Sequence, residues 1–154
     1  MLIGVISDTH GLLRPQALSL LEGADAIIHA GDIGDPAIIP ALQALAPVTA
    51  IRGNIDRAVW ARGFAETELV QLGGKSIFVL HELKTLARDP AAERIDVVIS
   101  GHSHVPKIET RGGVLYLNPG SAGPRRFKLP ITLATLRITR GKMQAEIHAV
   151  ETAN

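Results

Sequence analysis

No cysteine occurs among the 154 residues. Disulfides and thiolate chemistry are therefore excluded, and any metal must be held by nitrogen and oxygen. Aromatic residues make up only 3% of the chain. Val, Ile, Leu and Ala are left to fill the core, and stacking platforms for single-stranded nucleic acid are not expected. An excess of charge of one sign is also lacking: sixteen Lys and Arg face fifteen Asp and Glu, for a net charge of +1. No strong field favours nucleic acid or an anionic membrane. Long apolar runs are absent, and the start of the chain has no basic segment followed by an apolar stretch. Neither a transmembrane span nor a signal peptide is expected, and a cytoplasmic location is.

What is present is a slightly apolar balance, 46% hydrophobic and 20% charged, with a mean hydropathy of +0.21. It fits a sheet buried on both faces. The length suits one domain, residues 1–154, with a substantial core. Met1 to Ser7 reads as a buried strand. Arg14-Pro15 opens a helix through Leu21, Pro being tolerated in the first turn, and Gly23 ends it. Asp25 to Ala30 is a second strand. Asp35 as N-cap and Pro36 at the first position start a helix that runs to about Leu45, before Pro47. Val48 to Ile51 is a third strand. Residues 57–66, with the sole Trp60, read as a flap or short helix. Two strand runs about Gly73-Gly74 and two about Gly112-Gly113 are hairpin signals. Between them lie a polar helical stretch, Leu83 to Arg94, interrupted by Asp89-Pro90, and a strand from Asp96 to Ser100. Ile131–Thr139 and Met143–Val150 make a last hairpin, and the final few residues are expected to fray. A βαβαβ half followed by a hairpin-rich half would bury both as two sheets packed face to face with helices outside.

Five apolar runs end in residues able to bind a metal. Asp8 and His10 follow the first, Asp32 the second, Asn54 the third, His81 the fourth, and His102 and His104 the fifth. The steps between Asp8, Asp32, Asn54, His81 and His102 are 24, 22, 27 and 21 residues. Each suits one strand and its return element. Open α/β sheets bind ligands outside the carboxyl ends of their strands, so scattered residues converge. Two carboxylates, one amide and four imidazoles exceed what one divalent ion needs. Two ions sharing a carboxylate fit better, with a water between them as nucleophile for an in-line displacement.

Asp8-Thr9-His10, Gly31-Asp32, Gly53-Asn54-Ile55-Asp56, His81 and Gly101-His102-Ser103-His104 resemble the five blocks of the calcineurin-like metallophosphoesterases. The small single-domain phosphodiesterase branch is the most similar, through His29 to Asp32 and Asn118-Pro119-Gly120-Ser121. The resemblance spans nearly the whole chain. It implies an α/β fold, a four-layer αββα sandwich of two mixed β-sheets flanked by helices. It also implies that Asp8, His10, Asp32 and His104 hold one ion, and Asp32, Asn54, His81 and His102 the other, with Asp32 bridging.

The implied activity is phosphodiester hydrolysis by a metal-bridging hydroxide on a small phosphoester. A phosphomonoesterase or nucleotidase, or a protein-binding scaffold of the same fold, are the alternatives. Asn54, Asp56 and His102 are the expected catalytic residues. Manganese is the expected metal, with Zn, Fe, Ni and Co open. The oligomeric state is open, a homodimer included.

Two positions depart from the pattern. Many relatives carry a proton-donating His where this chain has Ile55, and a second His where it has Leu83, in His81-Glu82-Leu83. His29 reads as a partner orienting the ligands rather than as a ligand. His148 reads as an ordinary strand residue. Arg125, beside the Asn118–Ser121 turn, is a candidate contact for phosphate oxygens, whereas Arg126 and Lys128 read as solvated charges.

Overall fold

The computed structural model describes residues 1–152; the expectation of fraying at Ala153 and Asn154 falls outside them. Ten strands form two five-stranded mixed sheets. The first contains β1 (Leu2–Ile6), β2 (Ala26–His29), β3 (Val48–Ala50), β9 (Thr132–Thr139) and β10 (Lys142–Ala149), in the order β10-β9-β1-β2-β3. The second contains β4 (Thr67–Leu72), β5 (Lys75–Leu80), β6 (Val97–Ile99), β7 (Lys107–Arg111) and β8 (Val114–Asn118), in the order β4-β5-β6-β8-β7. β1, β2 and β3 run parallel, as do β5, β6 and β8. The antiparallel members are the hairpin strands, each pair joined by a Gly-containing turn.

Strand residues alternate between faces, and here both faces are apolar. Ile3, Val5 and Ile28 of the first sheet meet Ile77, Val79, Ile99 and Leu117 of the second in the central layer. On the opposite face Ile6, Ile27 and Leu133 pack against helices α1 (Pro15–Leu21) and α2 (Ile38–Gln43) through Ala17, Leu21, Ile39 and Leu42. Gly4 lets α1 come close, since a Cβ there would overlap the Leu21 side chain. α1 begins with Pro15 in its first turn, as read from sequence. α2 is shorter than expected. Its N-cap is Ala37, with no side-chain cap, rather than Asp35; Asp35 Oδ1 accepts from Ala37 N at 2.8 Å in the turn before the helix, which starts at Ile38. The Trp60 segment contains a 3-10 turn, Val59–Gly63, with Trp60 packed on the helical side.

The polar stretch 83–94 is not an α-helix. Leu83–Thr85 forms a 3-10 turn. Pro90 lacks an N–H to continue a helix, and Asp89 caps a separate turn by accepting from Ala92 N at 3.3 Å. Leu83 and Leu86 reach a small cluster on the outer face of the second sheet, around Phe78, Leu80, Val98 and Val114. The helical cover over this sheet is thus reduced to a turn and a loop. No helix among the described residues is long and apolar enough to cross a membrane.

Candidate metal centre

The loops that follow β1, β2, β3, β5 and β6 meet at one edge of the two sheets, because these strands share a direction within each sheet. Backbone hydrogen bonds tie the loops together: Asp8 N donates to Gly31 O (3.0 Å), His10 N to Asp32 O (3.0 Å) and Gly101 N to His81 O (2.9 Å). Among the described residues eight that are not glycine have positive φ, and five of them are Asp8, His10, Asp32, His102 and His104. Left-handed backbone is uncommon outside glycine and costs free energy, so its concentration at this edge marks a backbone bent to aim side chains. Two glycines make the approach possible. A Cβ at Gly53 would collide with the Asp32 carboxylate, and one at Gly101 with Ser7 Oγ and Asp8 Oδ2.

Each carboxylate has one oxygen tied down and one turned inward. Asp8 Oδ2 accepts from Ser7 Oγ (2.7 Å) and His102 N (3.0 Å). Its Oδ1 is buried without a hydrogen-bond partner and faces Nε2 of His104 (3.4 Å), His10 (3.7 Å) and His81 (3.8 Å). Asp32 Oδ1 accepts from Ile55 N (3.1 Å), while Oδ2 faces Nε2 of His81 (3.2 Å) and His10 (3.5 Å). The rings form two pairs, His10 with His104 at 5.3 Å between centroids and His81 with His102 at 5.2 Å. His102 lies at the rim, its Nδ1 3.3 Å from Asn54 Oδ1 and its Nε2 3.7 Å from Glu82 Oε1.

These residues fit divalent ions on three counts. Buried polar atoms normally find a partner, yet Asp8 Oδ1 and His10 Nε2 have none among the described residues. The Asn54 amide oxygen points among acceptors only; turned over, its NH2 would donate to His81 Nε2 (3.1 Å) and Asp32 Oδ2 (3.2 Å). A cation among these atoms would satisfy the oxygen as it stands. Finally, His81 Nδ1 lies 2.7 Å from the Ala30 carbonyl. In the neutral ring that bond leaves a lone pair on Nε2, the form a metal needs. Two acid–imidazole groups result, Asp8 with His10 and His104, and Asp8 with Asp32 and His81.

The charges are strongly coupled. Burial alone would raise the Asp8 pKa, but contacts with His10 and His104, the His81 charge and the Ser7 hydroxyl hold it well below the usual carboxylate range. Asp32 is likewise lowered: burial opposes, and the His81 contact and the Ile55 N–H prevail. His81 is raised, because its burial is outweighed by Asp32 and the Ala30 carbonyl.

Supporting residues are as specific as the candidate ligands. His29 is wholly buried. Its Nδ1 accepts from Gly31 N (3.1 Å) and its Nε2 lies 3.0 Å from Thr9 Oγ1, whose hydroxyl is committed to the Ile33 carbonyl at 2.8 Å. Nε2 must therefore be the protonated nitrogen. His29 clamps the Asp8–His10 turn to the Asp32 turn, the orienting role read from sequence. Asp56 also ties loops together. It is buried, and its carboxylate accepts from Gly53 N (2.8 Å), Ile33 N (2.9 Å) and Gly34 N (3.0 Å). Its oxygens hold the Asn54 turn against the Asp32 turn. Sequence reasoning missed Ser7 and Asn118. Asn118 Nδ2 donates to Gly101 O (3.0 Å) and Ser103 Oγ (3.1 Å), fixing the His102–His104 loop. Both residues lie within or beside the quoted blocks, but Ser7 reads as the last residue of a strand, and the partners of Asn118 are 15 and 17 residues away in sequence. Arg125 lies on an exposed loop, and among the described residues no hydrogen bond or ion pair joins it to the cluster. His148 is outside it too, in β10, with Nε2 2.7 Å from Thr135 Oγ1.

Comparison with known proteins agrees with this geometry. Residues 1–141 match the calcineurin-like phosphoesterase superfamily domain. The chain is 33% identical to a probable metallophosphoesterase of Methanocaldococcus jannaschii, over 98% of this chain and 82% of that protein. It is 30% identical to the phosphodiesterase YfcE of Escherichia coli, over 75% of this chain and 76% of YfcE. A solved archaeal phosphodiesterase superposes with a TM-score of 0.79 at 25% identity, covering 96% of this chain and 100% of that one.

Proposed function

The chain belongs to the calcineurin-like phosphoesterase superfamily, and from that membership we propose that it is a cytoplasmic phosphodiester hydrolase working with two divalent ions. The observation that carries the reading is the convergence of Asp8 Oδ1 and Asp32 Oδ2 on imidazole Nε2 atoms at 3.2–3.8 Å. Asp8, His10, Asp32 and His104 would hold one ion, and Asp32, Asn54, His81 and His102 the other. Asp32 Oδ2 stands near one ring of each pair, which supports its role as the bridge. We take manganese as the working metal, because carboxylate, amide and water oxygens suit it.

When bound, two such ions neutralise phosphate charge and activate a water for in-line attack on phosphorus. The chain's own residues hold that arrangement still. Ser7 and the His102 N–H fix Asp8, Ile55 N–H fixes Asp32, and Asp56 and His29 lock the turns. His102, at the rim, is the most exposed imidazole of the cluster. Ile55 is 44% exposed and offers no proton to the departing oxygen. Arg125, on the exposed loop that follows the Asn118–Ser121 turn, would be the contact for phosphate oxygens.

The test is hydrolysis of an aryl phosphodiester, metal by metal, together with elemental analysis of the loaded protein. Two manganese ions per chain and a rate abolished by His102→Ala are expected. Saturation at one ion would overturn the two-ion reading. Hydrolysis of monoesters but not diesters would favour a phosphomonoesterase, and no hydrolysis with any metal would favour a scaffold.

A further inference from the structure

The outer face of the second sheet, left without a helix by residues 83–94, carries a groove of about 790 Å³. Pockets that seat whole small molecules fall in this size range. The groove begins at the metal centre, where Glu82, His102 and Ser103 form its head, and runs along β8 and β7 to Tyr116 and Arg111. One wall is apolar, from Leu83 and Leu86. At the far end the Arg111 guanidinium lies 4.1 Å from the centroid of the Tyr116 ring. Glu109, 3.7 Å from Arg111 Nε, helps hold it there. The Arg111 side chain is nonetheless 53% exposed. A guanidinium stacked on one ring keeps its second face for another. Lys84 lines the same groove and has no ion-pair partner among the described residues.

We propose that this groove is a subsite for a flat aromatic ester group carried by the phosphodiester, seated on Arg111 and Tyr116 while the phosphorus sits at the metal centre. The inference rests on the phosphodiesterase reading above and specifies its substrate class. Continuity with His102 places the two ends of one ligand. The apolar wall and the stacked cation suit a ring rather than an alkyl chain, and Lys84 suits the diester's negative charge. An aryl group and a nucleobase share this chemistry.

The test uses the full-length, manganese-loaded protein and three diesters with the same 4-nitrophenolate leaving group. The second ester group is methyl, phenyl or thymidine. The common leaving group holds the chemistry constant, so kcat/KM ratios read the groove. The phenyl or thymidine ester should exceed the methyl ester by about tenfold or more; the better of the two tells whether an aryl group or a nucleoside is the natural occupant. Val105 lines the same groove and is exposed, so Arg111→Ala and the plugging variant Val105→Trp should each remove most of that preference while kcat/KM for the methyl ester stays unchanged. Hydrolysis of all three esters with equal kcat/KM, or a preference that survives both variants, overturns the subsite alone. Hydrolysis of none overturns the phosphodiesterase reading, and the subsite with it.

Discussion

At the scale of single residues, His29 shows how burial sets a pH limit. Burial pushes its pKa down to about 4, against 6.5 for the free side chain. Between those values the unfolded chain takes up a proton that the native chain refuses, so native stability falls as pH drops through that window. The full loss is about 3 kcal/mol. Urea unfolding at pH 7 and pH 4.5 should show wild type losing stability more steeply than His29→Gln, which has no proton to gain; parallel losses would mean that other groups carry the pH dependence. Ile55 supports a second expectation. A placed acid contributes roughly 10²–10⁴-fold, and this position has none. Rates should therefore fall steeply as the leaving group becomes more basic. Ile55→His should flatten that slope; identical slopes, with metals still bound, would show that leaving-group protonation is not limiting.

At the scale of elements, the two residues of one glycine turn make a clean comparison. Gly112 has φ 56° and Gly113 φ 79°, and neither has a heavy atom within 4 Å of where a Cβ would stand. The cost of a side chain is therefore backbone strain alone. Gly113→Val should destabilise by roughly 1–2 kcal/mol, whereas Gly112→Asn should be nearly neutral because Asn tolerates this conformation. Denaturant midpoints of the two variants check this, with hydrolysis unaffected in both. Such hairpins are legible in the sequence because a Gly-Gly pair between apolar strand runs has one common solution. The strand ends bearing Asp8, Asp32, Asn54, His81 and His102 are legible for a similar reason: buried parallel strands read as apolar runs, and the next polar residue marks the edge. The stretch 83–94 reads as helical and is not. Leu83 and Leu86, three apart, suit a 3-10 turn as well as a helix, and sequence does not show which the neighbouring sheet accommodates. The contacts of Asp56 are not legible, because its partners, the N–H groups of Gly53, Ile33 and Gly34, meet only when two loops are folded together.

At the scale of the whole molecule, the candidate ligands come from both sheets, so a bound ion would brace the seam between them. A ligand that binds only the native state stabilises it by mass action, by about 2.7 kcal/mol at a hundredfold excess over Kd. For a chain of this size that corresponds to a rise in Tm of roughly 5–10 °C. Manganese should raise the Tm of wild type by this amount and that of Asp32→Asn by much less; equal shifts would place the ion elsewhere. The order of the first sheet has a consequence in time. β1 lies between β2 and β9, pairing Leu2 with Arg137 and Ile3 with Leu136. During synthesis β2 emerges soon after β1, but β9 follows only after more than a hundred further residues, on the order of ten seconds at ribosomal rates. Until then the nascent chain carries an apolar strand with one flank of N–H and C=O groups unclaimed, a template for pairing with a neighbouring copy. A fragment of residues 1–130 should therefore sediment as aggregate, and a peptide of residues 131–152 supplied during refolding should return it to solution. A fragment that stays monomeric without the peptide would mean that β1 is shielded by its own half of the chain while it waits.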